Sequence, residues 1–303
     1  MNERLAGLGY AAAWRAVRGL PYPVAAAAFR AAADAAYRRG GRGVSTLRAN
    51  LRRVVGPGPG ESTLDELVRA GMRSYARYSL EVFRLPTLSP AALRTCFRLD
   101  GAPLLAADVA AGRGAVLALP HAGNWDAAGA WVAAQGWPIV TVAERLRPAS
   151  VYAQFLAFRR RLGMEILPLT GGASSPLRTL VARLRAGHLV PLLADRDLTA
   201  GGVPVRFFGA TASMPGGPAL LALLTGAPLY TVDMWYDDAG PRGRLTGPLP
   251  VPAAGDRQAR VGALTQAVAD RFAAGIAAHP ADWHMLQPVW RSPDRILPAA
   301  GAA

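Results

Sequence analysis

The stretch Pro120-His121-Ala122-Gly123-Asn124-Trp125-Asp126 sets an imidazole and a carboxylate with four residues between them at the end of the apolar run Ala115-Val116-Leu117-Ala118-Leu119. A neutral imidazole accepts a proton near pH 7, and a carboxylate on its second nitrogen fixes the tautomer and stabilises the imidazolium that forms. His121 therefore reads as a general base and Asp126 as its orienting acid, although spacing alone leaves open whether Asp126 makes that bond. The run from Val116 to Leu119, closed by Pro120, predicts a buried strand, and the Ala-rich stretch from Trp125 to Ala134 predicts a helix. His121 then sits on a strand-to-helix turn, where a rigid scaffold presents a side chain to solvent. A His-x4-Asp pair also arises by chance, so its context decides its weight.

That context is an ordered series of short motifs: Ala143-Glu144-Arg145, Ala194-Asp195-Arg196-Asp197, Phe207-Phe208-Gly209, Met214-Pro215-Gly216-Gly217-Pro218 and Asp282-Trp283-His284-Met285-Leu286-Gln287. With the Leu-Pro-His-Ala-Gly-Asn-Trp-Asp flank of His121, they resemble the lipid A biosynthesis acyltransferase family and its actinobacterial branch, the phosphatidylinositol mannoside acyltransferases. The resemblance implies transfer of a long acyl chain, palmitoyl, from acyl-CoA as co-substrate to a mannose hydroxyl, without metal or other cofactor. Another glycolipid or a lipid A precursor is the alternative acceptor. It also implies that Asp195, where the family often carries glutamate, is a second acid near His121, and that Arg159 partners Glu144 and contacts the acyl carrier.

The residues themselves bear on these roles. Asp195 follows a predicted strand and so shares a sheet edge with His121, in keeping with sites at the carboxyl ends of parallel strands; pairing with Arg196 or capping a helix is the competing reading. Arginine grips phosphate through a planar fork, which makes Arg159, Arg196 and Arg206 candidate contacts for an anionic substrate, with solvated surface positions as the alternative. Gly216 and Gly217 bring backbone amides to the start of a helix, where an oxyanion or phosphate binds, or they only turn the chain. His188 and His279 read as turn residues, and His284 reads as a packed core histidine, with bracing of the site as the competing reading. Metallohydrolase, serine hydrolase and nicotinamide dehydrogenase motifs are missing.

Composition narrows the classes further. The 303 residues carry a net charge of +14, and all 34 basic residues are arginine. Without lysine there is no Walker A loop, pyridoxal Schiff base or lysine nucleophile. Cys96 is the single cysteine, which excludes an intrachain disulfide or a cysteine-built zinc site. No secretory signal is read, and no run is apolar enough for a transmembrane helix.

The elements that must position the site follow an α/β rhythm. Residues 1–95 read as helical, with a capping-box start at Thr63-Leu64-Asp65-Glu66 for a helix reaching about Phe83. Beyond residue 96, strands at 116–119, 138–143, 166–169, 189–194 and 227–235 alternate with helices at 103–111, 125–134, 150–162, 175–186, 217–225 and 257–278. This predicts a mostly parallel central sheet flanked by helices, divided into a helical segment, 1–95, and an α/β acyltransferase core, 96–303.

Residues 1–60 hold ten arginines against Glu3 and Asp34. Leu5, Leu8, Tyr10, Trp14, Val17 and Leu20 beside Arg38, Arg39, Arg42, Arg48, Arg52 and Arg53 suit an anionic leaflet; a basic helical face packed on the core is the competing reading. The expected location is peripheral, at the cytoplasmic face of the plasma membrane, with an anionic glycolipid acceptor. A nucleic-acid-binding role, suggested by the sequence pI of about 11.2, lacks any recognised motif or stacking aromatics in the basic cluster, so no nucleic-acid partner is expected.

Overall fold

The computed structural model describes residues 17–143, 156–168, 176–197 and 201–290. After a helical turn at 17–19 come α1 (Tyr22–Arg39), α2 (Arg42–Val55) and α3 (Glu61–Arg84). α3 begins at Glu61, two residues ahead of the expected capping box. An acidic side chain in the first turn favours the helix dipole, and Glu61 also takes ion pairs from Arg48 and Arg52 on α2.

These helices are built into the body of the protein. Leu47 and Leu51 of α2 and Leu64 and Val68 of α3 share one buried cluster with Val116 and Val190 of the sheet. Part of the basic face is engaged by neighbouring carboxylates: Arg48 also pairs with Asp65, and beside it Arg69 and Arg73 of α3 pair with Asp34 of α1 at 3.0 and 2.7 Å. Of the apolar residues expected to dock, Leu5, Leu8, Tyr10 and Trp14 lie outside the described residues, Leu20 is exposed, and a membrane-facing role for this segment is a proposal.

The α/β part runs β1 (Arg98–Asp100), α5 (Ala102–Ala110), β2 (Ala115–Leu119), α6 (Trp125–Ala134), β3 (Val140–Ala143), α7 (156–161), β4 (Glu165–Pro168), α8 (Pro176–Arg185) and β5 (Leu189–Leu193), after a short α4 (Pro90–Leu93). It continues through β6 (Val203–Phe207), β7 (Ala210–Met214), α9 (Gly217–Thr225), β8 (Leu229–Asp237), β9 (Gly240–Thr246) and α10 (Arg257–Ala278). The main sheet has the order β1-β9-β8-β2-β5. Its pairs are parallel except β8–β9, so the mostly parallel sheet is present, with an antiparallel hairpin that the sequence pattern did not signal. β3 and β4 pair in parallel on their own, next to β5 through an Ile139–Leu189 bridge. β6 and β7 form a separate hairpin. Its turn is Phe208 and Gly209, at φ 47° and 76°, the two positive values that a two-residue hairpin loop of the right twist demands.

β2 is the axis of the molecule. All five of its residues are buried between β8 and β5, which is why it reads as an unbroken apolar run. Strand alternation splits it between two cores. Val116 and Ala118 join the cluster under α9 and α10, whereas Ala115, Leu117 and Leu119 join the cluster under α5 and α6.

Candidate active site

The register of the sheet builds the site. β2 pairs Leu119 with Leu193 of β5, so two residues further along each chain bring His121 and Asp195 side by side. His121 Nδ1 lies 2.6 Å from Asp195 Oδ1, and the His121 backbone N–H donates to Asp195 Oδ2 at 2.9 Å. The indole N–H of Trp283 donates to the same Oδ2 at 2.8 Å. Burial of Asp195 is complete and opposes its ionisation, yet its carboxyl sits below the usual range because the His121 charge and these N–H donors outweigh that penalty. An ionised Asp195 accepts from Nδ1–H, which leaves the lone pair of a neutral His121 on Nε2. The His121 side chain is one-quarter exposed.

Asp126 is not the partner of His121, contrary to the expectation from spacing. It occupies the first turn of α6, where its Oδ1 accepts two bonds from Arg159 at 3.1 and 2.5 Å and its Oδ2 accepts the Tyr78 hydroxyl at 2.8 Å. The reason is geometric: α6 starts by turning its first carboxylate toward α3 and α7, while the strand register delivers Asp195 to the imidazole. The shorter aspartate at position 195 reaches His121 without difficulty. Arg159 is thus engaged with Asp126; Glu144, its expected partner, lies outside the described residues.

The last described segment closes the site from behind. The His284 backbone N–H donates to the His121 carbonyl at 2.8 Å, and the Gly123 N–H donates to the Asp282 carbonyl at 2.9 Å. Ser74 donates its hydroxyl proton to Asp282 Oδ1 at 2.5 Å and lies 2.9 Å from His284 Nε2. With its own proton committed to Asp282, the Ser74 oxygen accepts, so His284 carries its hydrogen on Nε2. Its buried Nδ1 has no hydrogen-bond partner among the described residues, and burial pushes the imidazole down to about 3.

A cavity of about 620 Å3 opens beside this constellation, within the range of small-molecule sites, about 300–1,000 Å3. Leu117, Leu119, Leu193 and Val232 form its sheet wall, and Trp125, Gly129 and Val132 form its α6 wall. His121, Asp126, Arg159, Arg196 and His284 supply its polar lining. It is an apolar space with a base, an acid and two arginines at one side.

Other expected contacts stand apart from it. Arg206 is exposed on β6 and its backbone N–H is bonded to Gln266; it is not among the residues lining the cavity. Gly216 is required by packing, since a Cβ there would lie 3.0 Å from Val203 and 3.2 Å from Val261. Gly217 starts α9 with open space around its Cα, and neither glycine lines the cavity. His188 precedes β5, and His279 stacks on Trp235 with ring centroids 4.6 Å apart.

Sequence reasoning missed what α3 contributes. Ser74, Tyr78 and Glu81 fall at i, i+4 and i+7, one face of a helix. They bind respectively Asp282, Asp126 and Asn124, the last by a 2.7 Å bond from Asn124 Nδ2 to Glu81 Oε2. A polar stripe in a helix that otherwise feeds the core was the available signal.

Comparison with known proteins places these features in company. The family model described as bacterial lipid A biosynthesis acyltransferase matches residues 5–292. A phosphatidylinositol mannoside acyltransferase of Mycolicibacterium smegmatis is 48% identical over 290 residues, covering 96% of this chain and 93% of that protein. The protein of the same description from Mycobacterium tuberculosis is 49% identical over 283 residues, covering 93% of this chain and 87% of its own.

Proposed function

The chain belongs to the bacterial lipid A biosynthesis acyltransferase family, and from that premise we propose that it moves a long acyl chain, palmitoyl, from acyl-CoA to a mannose hydroxyl of a phosphatidylinositol mannoside. It is an acyltransferase, and the reading of its chemistry rests on one observation: the Asp195-bound His121 faces a largely apolar cavity.

In this mechanism Nε2 of His121 takes the proton of the acceptor hydroxyl as its oxygen attacks the thioester carbonyl. Asp195 stabilises the imidazolium so formed, and Trp283 holds Asp195. Collapse of the tetrahedral oxyanion forms the ester and breaks the carbon–sulfur bond, and the leaving thiolate takes the proton back from His121. Arg159 and Arg196 meet the anionic parts of donor or acceptor, and Asp126 fixes Arg159. The acyl chain lies along the sheet wall of the cavity.

The protein works as a peripheral enzyme on the cytoplasmic face of the plasma membrane, its helical segment 1–95 meeting anionic lipid and 96–303 carrying the chemistry. Supporting this, Leu20, Tyr22 and Val24 are exposed large apolar side chains at the start of α1.

The test is transfer of labelled palmitoyl from its CoA thioester by the purified protein to a panel holding phosphatidylinositol mannosides, other glycolipids and a lipid A precursor. The mannoside is the expected acceptor. His121→Ala should fold normally and lose at least about 100-fold in turnover, the lower scale of general-base loss. Near-normal turnover of that variant refutes the base assignment, and preference for another acceptor on the panel refutes the mannoside.

A further inference from the structure

α2 has a polar residue where its pattern calls for an apolar one. Its buried face is Val44, Leu47, Asn50 and Leu51, and a leucine at 50 would continue the stripe that feeds the core. Asn50 is only 3% exposed, and asparagine is a poorer helix former than leucine, so its amide meets a specific need. Both of its hydrogens leave the helix. Asn50 Nδ2 donates to the Met285 carbonyl at 2.8 Å and to the Gln287 carbonyl at 2.9 Å.

Those carbonyls belong to a stretch, 284–290, that is neither helix nor strand. Buried backbone of this kind takes its partners from side chains, and Met285 is itself buried. The stretch continues directly from the brace of the candidate base: Trp283 supplies the indole N–H on Asp195, and His284 supplies the backbone N–H on the His121 carbonyl. α2 meets it at two further points. A Cβ on Gly43 would lie 3.3 Å from Leu286 Cδ2, and the Arg53 guanidinium lies 5.0 Å from the centre of the Trp290 ring. Of these three contacts only that of Asn50 grips the backbone, on both sides of Leu286.

We propose that Asn50 is a positioning residue for the His121–Asp195 pair: by fixing the backbone at 285 and 287 it holds the Trp283 indole on Asp195 and the His284 N–H on the His121 carbonyl. This rests on the reading of His121 as the base. Asn50 touches no reacting atom and acts through Trp283 and His284. Through it the helical segment, and not only the α/β part, determines whether the base is aligned.

Asn50→Asp keeps the shape of the side chain and turns an oxygen, in place of the donor, toward the two carbonyls. Turnover should fall at least about tenfold, the lower scale for losing a hydrogen bond to a charged group, here that of Trp283 to Asp195. Two readouts separate positioning from a mere loss of stability. Nitrogen NMR of labelled tryptophan should show the Trp283 indole N–H of the folded variant exchanging with water at least about tenfold faster, with the Trp131 and Trp137 indoles, which pack on each other, unchanged. On a Trp283→Phe background, Asn50→Asp should lower turnover by less than about threefold more, because the bond to Asp195 is already gone. The proposal is overturned by a folded Asn50→Asp that turns over within about threefold of its parent, leaves Trp283 exchange unchanged, or multiplies in full with Trp283→Phe. If Asn50→Asp does not fold, Asn50→Ala, which removes the amide without adding charge, is held to the same outcomes. Near-normal turnover of His121→Ala refutes the base reading instead, and the indole measurement then still decides whether Asn50 holds Trp283.

Discussion

Replacing Asp195 by asparagine tests the wiring of His121 with an almost isosteric side chain. Asp195 offers Oδ1 to His121 Nδ1 and Oδ2 to two donors, the His121 backbone N–H and the Trp283 indole N–H. An asparagine at this buried position has two ways to sit. With its carbonyl oxygen in the Oδ1 place, its amide hydrogens face two N–H groups, leaving two buried donors unsatisfied at about 1–3 kcal/mol each. With the carbonyl in the Oδ2 place both donors are kept, and the amide nitrogen donates to Nδ1 of His121. The second arrangement wins by at least about 2 kcal/mol, or about 25-fold in population. It forces the imidazole hydrogen onto Nε2, where a base must have a lone pair. Asp195→Asn should therefore remain folded, losing about 1.5–3 kcal/mol of charge-assisted bonding, while turnover drops about 100- to 10,000-fold, the larger figure being the effect of the equivalent swap in serine-protease triads. Turnover is measured with labelled palmitoyl-CoA, stability by urea unfolding, and the tautomer by nitrogen NMR of labelled histidine. A variant that turns over within tenfold of its parent, or whose His121 keeps the hydrogen on Nδ1, refutes this reasoning.

Gly123→Ala should destabilise the protein by more than about 2 kcal/mol, read by urea unfolding, and depress turnover with it. Gly123 adopts φ +56°, and a Cβ there would lie 2.8 Å from the backbone of Met234 and Trp235. Burial pushes the Asp233 carboxyl from 3.8 up to about 6, against the pull of Arg244 and Arg271. The folded state then holds a proton that the unfolded state has lost, so this group makes stability fall as pH rises from about 4 to 6. Asp233→Asn should flatten that fall and raise stability at pH 7 by up to about 3 kcal/mol, as urea midpoints across this pH range will show. Burial likewise pushes the Cys96 thiol up to about 11, while its Sγ donates to the Leu93 carbonyl at 3.2 Å; iodoacetamide should label the native protein only slowly at pH 8, and Cys96→Ser should transfer acyl groups at the parental rate. An acyl adduct on Cys96 by intact mass would contradict this.

Local signals were legible where capping and periodicity act within a few residues. α9 runs from Gly217 to Thr225 and α10 from Arg257 to Ala278, as the sequence predicts: Gly226 closes the first in the left-handed conformation, and Asp256 caps the second through Ala259 N–H. The strand ending before His121 was legible for the same reason. The strand pattern also put Asp195 on the sheet edge of His121, but not which carboxylate bonds the imidazole: Asp126 is near in sequence yet turned away by the start of α6, whereas Asp195, 74 residues distant, meets it through a register that no local pattern encodes. β9 was invisible for a related reason. Its Gly240-Pro241-Arg242-Gly243-Arg244 stretch has poor strand propensity, and long-range pairing with β8 and β1 makes it a strand. The cavity was unreadable because its walls come from α3, α6 and five strands at once.

The contacts of Trp283 and His284 with Asp195 and His121 give the assembly of this site an order in time. A ribosome releases residues 121 and 195 long before residues 280–290, and domains condense from the N-terminal side as they emerge. The nascent chain can form β2 and β5 while the indole that steadies Asp195 is still in the exit tunnel. His121 is then unbraced. The site is complete only once residues 280–290 have been made, so a chain stalled before them lacks the Trp283 and His284 contacts and meets a quality-control protease with that site unfinished.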